Sequence, residues 1–300
     1  MFAPALRDGV AASRVGVGDG RFPTLLAFLV ARFPAVADWP ARLERGDVLD
    51  AAGRPLAADA PCAAGSVIWY WRDPPPEPRV PFEIELLHQD EHLVVVDKPH
   101  FLPVIPGGRH LRETVLVRLR QQLGIAELAP MHRLDRETAG VLVFTVHPPE
   151  RAAYHALLRT HAVHKVYEAI APWRADLALP LDARHRLDKP GGAGFMQVQV
   201  VPGEPNAQAQ VELVERRSDL ARYRLTPRTG RTHQLRVQMS ALGLPIVGDR
   251  IYPTLWPEPA AEAPPDWSRP LQLLAREIAF ADPVTGEERR FASRRRLAWE

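Results

Sequence analysis

The chain has 300 residues, 46% of them hydrophobic and 25% charged, with a formal net charge of +2 and a single cysteine, Cys62. These values exclude an internal disulfide and a multi-cysteine zinc site, and they describe a globular chain long enough for one large domain and a small appendage. No apolar run reaches the ~18 residues of a membrane span and no basic-then-apolar leader opens the sequence, so the cytoplasm is the expected compartment.

Residues 1–20 show no periodicity and are expected to be loose. From Phe22 the apolar residues Leu25, Leu26, Leu29, Val30 and Phe33 recur at helical spacing, with Thr24 placed to cap the helix. A second helix near Leu43 and short strands at Val48 and Val67–Trp71 complete a small N-terminal α/β module over 1–76. Pro74, Pro75, Pro76, Pro78 and Pro81 then stiffen the chain into a linker, because proline fixes its own φ and lacks a donor. Another proline-rich stretch, 253–270, reads as surface loop.

The larger domain, 77–300, opens with a hairpin: Leu86-Leu87-His88 and Leu93-Val94-Val95-Val96 flank Gln89–His92. Val115, Leu116, Leu119 and Leu123 mark one face of a helix ending at Gly124. The stretch His132-Arg133-Leu134-Asp135-Arg136-Glu137-Thr138-Ala139-Gly140 follows, and runs into the apolar strand Val141–Val146. Pro148 and Pro149 suit the first turn of a helix carrying Ala153, Tyr154, Leu157 and Leu158. His164–Ile170 forms a strand, and 173–194, with its glycine run at 191–194, is expected to be a long loop. Half-buried strands are expected at 196–200 and 210–213, a helix with Leu235, Met239 and Leu242 capped by Gly243, and a C-terminal hairpin around Asp282–Gly286. Strands outnumber helices and pair through hairpins, which gives an α+β fold with a mixed, largely antiparallel central sheet flanked by helices and loops.

Asp135 sits among Arg133, Arg136 and His132 just before a strand, a cationic setting that favours an ionised carboxylate of the kind used as a nucleophile. On charge pattern alone the same residues fit a solvated salt-bridge cluster at a sheet edge. Ala221–Arg236 holds Arg222, Arg224, Arg228, Arg231 and Arg236 with no acid among them. Such a stripe fits phosphate contacts or a solvated strand face equally well.

The nonapeptide resembles the catalytic motif of the RluA/RsuA family of RNA pseudouridine synthases. Three further blocks are similar to that family in the same order: Asp90–Pro99 with its Lys98-Pro99 corner, Lys165-Val166-Tyr167, and Thr229–Val237 with Leu242–Asp249 behind it. The resemblance implies the pseudouridine synthase fold and the isomerisation of a specific uridine in structured ribosomal or transfer RNA. It implies Asp135 as nucleophile, Tyr167 against the target ring, and Arg231 as the fixed cation that pairs with Asp135. Arg133 would fill the space left by the flipped base, and Arg136, Lys165, Arg228, His233, Gln234 and Arg236 would join it in holding RNA or supporting the site, as would Lys98. His132 and His233 are expected in hydrogen-bonded roles rather than as proton carriers. Gln238, Leu274 and Asp282 stand where many relatives have histidine. The N-terminal module looks like a diverged form of the family's small RNA-binding module, or a structural cap.

The reaction changes no oxidation state, so no cofactor and no metal are expected, and the partner is RNA, bound by a monomer without a membrane. The rival reading is a non-catalytic RNA-binding or ribosome-assembly protein that kept the fold. A metal-dependent phosphodiester hydrolase would need ligands the chain does not obviously offer.

Overall fold

The computed structural model describes residues 2–72, 76–189, 197–257 and 264–299. The core of the proline linker (73–75), the glycine run at 191–194, Met196 and part of the later proline stretch lie outside them.

The N-terminal module contains strand β1 (Ser13–Gly16), helices α1 (Leu25–Arg32) and α2 (Trp39–Glu44), and strands β2 (Val48–Leu49) and β3 (Val67–Tyr70). Thr24 caps α1, its hydroxyl accepting from the Ala27 N–H at 3.2 Å, which satisfies one of the donors that a helix start leaves unpaired. Leu25, Phe28 and Leu29 of α1 then pack with Trp39, Ile68 and Tyr70. The three strands pair in the order β1-β3-β2, apart from the main sheet. Residues 1–20 are therefore not all loose: Ser13–Gly16 pairs with Val67–Tyr70, a pairing invisible to a local reading because its partner lies about fifty residues on.

The main sheet takes β4 (Glu85–Gln89), β5 (Leu93–Lys98), β7 (Ala139–Thr145), β8 (His164–Pro172), β9 (Leu181–Asp188), β10 (Gln199–Val201), β11 (Ala207–Arg217), β12 (Leu220–Pro227) and β13 (Leu273–Ala281) in the order β10-β9-β11-β12-β8-β13-β7-β5-β4. The short β6 (Ala129–Pro130) adds to β7, and β14 (Glu288–Ala292) to β13. All pairs are antiparallel except β13 with β7, so the sheet is mixed and largely antiparallel as expected. β5 and β7 are buried along their whole length, which explains their unbroken apolar runs. Helix α3 (Val115–Leu123), ending at Gly124 in the left-handed region, packs Val115, Leu116 and Leu119 against them, and α4 (Arg151–Arg159) seats Tyr154 on the other face. Helix α5 (Gln234–Ala241) lies over β8, β11 and β12 through Leu235 and Met239.

Two expectations fail here. The 173–194 segment contains β9, paired with β11 over Leu181–His185 and with β10 over Arg186–Asp188; its charged residues face outward on an outer strand, so no apolar run announced it. The basic stripe also divides: Arg222 pairs with Glu215 at 3.0 Å and Arg224 lies 3.9 Å from Glu212, carboxylates brought alongside by β11. Only its C-terminal part reaches the cleft described next.

No helix among the described residues is long and apolar enough to cross a membrane.

Candidate active site

A cleft of about 1520 Å³ opens where the loop before β7 meets the loop between β12 and α5. Its lining includes Arg133, Arg159 and Lys165 on one side and Lys189, Arg228 and Arg231 on the other, while Asp135 and Glu137 are its only acids among the described residues. A chain of net charge +2 has thus gathered positive charge into one concavity, which focuses its field on an anionic partner.

The Asp135 loop is pinned from beneath. Gly140 takes a φ of 114°, and a β-carbon there would stand 2.2 Å from the Ala275 carbonyl oxygen, so only glycine allows β7 to approach β13. The Thr138 N–H closes a turn onto the Asp135 carbonyl at 3.1 Å. Lys98, fully buried, donates to the carbonyls of Pro99, Leu102 and Arg136 at 3.0, 2.7 and 2.9 Å. Burial pushes its pKa down to about 7, opposed by the charges of Glu137 and Asp135. His100 donates from Nδ1 to the Glu137 carbonyl at 2.7 Å. Two side chains from the end of β5 therefore grip the peptides directly after Asp135.

The cation that faces Asp135 is Arg236. Its Nη1 lies 3.3 Å from Asp135 Oδ2, while Nε and Nη2 meet both oxygens of Asp249 at 2.8 and 2.7 Å. Asp249 is held in turn by the Ile251 and Tyr252 N–H groups at 2.8 and 3.0 Å. Arg236 is 2% exposed. Burial works against its charge, but the hydrogen bonds to Asp249 and the charges of Asp249 and Asp135 outweigh it and raise its pKa further. A planar fork with a carboxylate behind it and another in front is a rigid way to present one anion to a cleft.

Tyr167 lines the same cleft, its hydroxyl pKa raised by burial and then by the charge of Asp135. It stays a neutral phenol, able to donate a hydrogen bond. His132 accepts from the Val143 N–H at 3.3 Å, and burial, helped by the nearby Lys165 charge, lowers its pKa to about 3. It is a neutral, hydrogen-bonded residue, as expected.

Residues 92–241 match the family model described as RNA pseudouridylate synthase. The dual-specificity RNA pseudouridine synthase RluA of Escherichia coli K12 is 35% identical over 228 residues, 73% of this chain and 94% of that protein. An uncharacterized RNA pseudouridine synthase of Synechocystis is 34% identical over 217 residues, 71% of this chain and 73% of its own length. This chain belongs to the RNA pseudouridine synthase family.

The solved human RNA pseudouridylate synthase domain containing 4 superposes on the synthase with a TM-score of 0.51 at 26% identity, covering 71% of this chain and 88% of that one. The synthase isomerises uridine to pseudouridine in RNA, and its mixed sheet is the pseudouridine synthase fold expected from the motifs.

The structure brings Asp135, Tyr167, Arg231, Arg133, Arg136, Lys165, Arg228, His233, Gln234 and Arg236 to one cleft but redistributes their roles. Arg231 does not pair with Asp135; it is exposed on the cleft wall, and its Nε reaches the Asn206 carbonyl at 3.3 Å. The expected pairing fails because Arg231 lies in the exposed loop before α5, whereas Arg236 lies within that largely buried helix. Arg236 for its part is no phosphate contact, being spent on two carboxylates. Gln234 is buried and braces the loop: its Oε1 accepts from Thr229 Oγ1 and the Arg231 N–H at 2.8 and 3.1 Å, and its Nε2 donates to the Gln208 carbonyl. Buried and so bonded, it supports the loop rather than RNA.

Nor do the flanking arginines hold Asp135. Arg136 pairs with Glu137 at 2.6 Å, and the Arg133 guanidinium, exposed, makes no hydrogen bond or ion pair among the described residues. Gln238, where many relatives have histidine, is buried and donates to the Ala183 and Ala207 carbonyls. Sequence reasoning missed Asp249 and His100. An aspartate three residues after Ile246, one helix beyond an arginine of the motif, was the available signal for the first; nothing local marks the second.

Proposed function

We propose that the synthase works through Asp135 as nucleophile, with Arg236 as its fixed cation and Tyr167 as the neutral phenol beside the target ring, on a uridine in structured ribosomal or transfer RNA. The observation that carries the reading is the Asp249–Arg236–Asp135 chain at the floor of a cationic cleft. It supplies one ionic carboxylate, oriented and accessible, and the reaction needs such a group to attack either the sugar's anomeric carbon or the pyrimidine ring. Cleavage of the bond from sugar to base, rotation of the base, closure through its carbon 5 and breaking of the bond to Asp135 return the free carboxylate; carbon 5 gives up its proton to solvent and the nitrogen freed from the sugar takes one up.

A uridine inside a folded RNA must leave its stack to reach Asp135, at about a few kcal/mol that contacts must offset. The exposed Arg133 guanidinium and the half-buried Lys165 ammonium, each without a hydrogen bond or ion pair among the described residues, suit that work. Arg228 and Arg231 on the opposite wall suit the flanking phosphates. We place the synthase in the cytoplasm, acting as a monomer; the buried free Cys62 fits a reducing compartment.

The test is tritium release from RNA labelled at carbon 5 of uridine. The wild-type protein is expected to release tritium, and Asp135→Asn to lose turnover by at least about 1,000-fold while RNA affinity stays within about threefold. Near-normal turnover by Asp135→Asn would remove the nucleophile from the account. Pseudouridine maps of RNA from cells with and without the gene then name the target.

A further inference from the structure

We infer that His233 is a positioning residue for Asp135, fixed by Tyr252 so that its Nε2–H faces the carboxylate oxygen that Arg236 leaves open. The inference rests on Asp135 as nucleophile. His233 occupies the position before α5 with a φ of 53° and makes no capping hydrogen bond with its side chain. A left-handed residue with a β-carbon costs about 1–3 kcal/mol and persists where the surroundings require it. Here the backbone swings the imidazole away from the helix end and into the space between Tyr252 and Asp135.

Its Nδ1 lies 3.1 Å from the Tyr252 hydroxyl, and its Nε2 lies 3.9 Å from Asp135 Oδ1. The Tyr252 oxygen already accepts from the Val198 N–H at 2.8 Å. Its own hydrogen has no other acceptor among the described residues, so we assign it to His233 Nδ1, which leaves the ring proton on Nε2. The rings meet edge to face at 5.7 Å and 83°, a packing contact that adds to the hydrogen bond in restraining the imidazole.

Burial lowers the His233 pKa; Asp135 and Asp249 push it up while Arg236 and Lys189 push it down, with burial prevailing. The ring is thus a neutral donor. The two carboxylate oxygens consequently differ: Oδ2 is bound to a full charge at 3.3 Å, whereas Oδ1 faces a neutral N–H across a gap longer than a hydrogen bond. Such contacts shorten when substrate closes a site. Arg236 holds one carboxylate oxygen, and His233 with Tyr252 sets which oxygen is presented.

The experiment measures tritium-release kinetics on carbon-5-labelled total RNA from cells lacking the gene. His233→Leu is expected to lower kcat about 30-fold with KM within about twofold, and His233→Gln, which keeps a side-chain N–H, to recover to within about fivefold of wild type. Tyr252→Phe removes a hydrogen bond that favours the neutral ring, so the acid limb of kcat/KM moves to higher pH. In the His233→Gln background the same change is expected to have no effect on that limb. Nitrogen-15 spectra of the imidazole, with His233→Gln for assignment, read the tautomer in the wild-type protein independently of activity.

An Nδ1-protonated or doubly protonated His233 at neutral pH overturns the inference. So does an acid limb that Tyr252→Phe leaves in place, or a His233→Leu enzyme with wild-type kcat while Asp135→Asn is inactive. Retained activity in Asp135→Asn instead strikes the nucleophile itself, which keeps the two failures apart.

Discussion

The floor and the rim of the cleft use arginine in opposite ways. Arg236, on the floor, is 2% exposed and bonded to two carboxylates; Arg231, five residues earlier, stands exposed with one long hydrogen bond to a carbonyl. A desolvated guanidinium must be fully partnered, and the partners fix its geometry. A solvated one keeps its freedom and can follow a phosphate. Burial, rather than membership of a motif, decides which arginine is suited to chemistry and which to holding RNA.

The largest effect that would break this comparison is expected at Arg236. Arg236→Gln leaves Asp249 buried without its cation and Asp135 without a fixed partner. Turnover is expected to fall by at least about 100-fold and stability by about 3–5 kcal/mol; tritium release and urea unfolding read the two losses. Wild-type turnover in this variant would transfer the role back to another cation.

Next comes Gly140→Ala, which puts a β-carbon against the Ala275 carbonyl. A loss on the order of 3 kcal/mol is expected in denaturant unfolding, with lowered turnover at temperatures where the protein is still folded, because the Asp135 loop hangs from that crossing.

Arg231→Ala, on the rim, is expected to leave kcat within about twofold and to weaken RNA binding about tenfold at low salt. The slope of log affinity against log salt should shrink by about 0.7–0.9, as for one lost phosphate contact. Filter binding across a salt series measures it, and a kcat collapse with unchanged affinity would place Arg231 with the floor instead.

The smallest effect sharpens the picture of the loop's support. Burial lowers His132 to about 3 and His100 to about 4, against an ordinary 6.5. Below about pH 6.5 the unfolded chain binds more protons than the folded one, so this stability is complete above that pH and drains away as the pH falls toward 4 and then 3. Thermal midpoints taken across that window should show the decline, and His132→Asn should flatten it by about one proton's worth of slope.

Much of this was legible in the chain itself. The full apolar runs of β5 and β7, the Thr24 cap, the Gly124 stop and both hairpins are local signals and reappear in the structure. The motif placed Asp135, Tyr167 and the cationic residues in one cleft. What stayed hidden depended on distant partners: β1 on β3, β9 on β11, the neutralising of Arg222 and Arg224 by β11, and the pairing of Asp135 with a residue 101 positions away. Choosing between Arg231 and Arg236 needed to know where α5 begins, and a helix of only eight residues entered through a left-handed histidine gives that boundary poorly.

The crossing of β7 with β13 joins Ala139 and Gly140 to residues Leu274 and Ala275. The loop that carries the carboxylate is therefore completed by chain synthesised far downstream, and contacts of such long sequence separation close slowly. During refolding, regained turnover is expected to trail the return of the helical signal, since α3 and α4 can form before the sheet's middle is sealed.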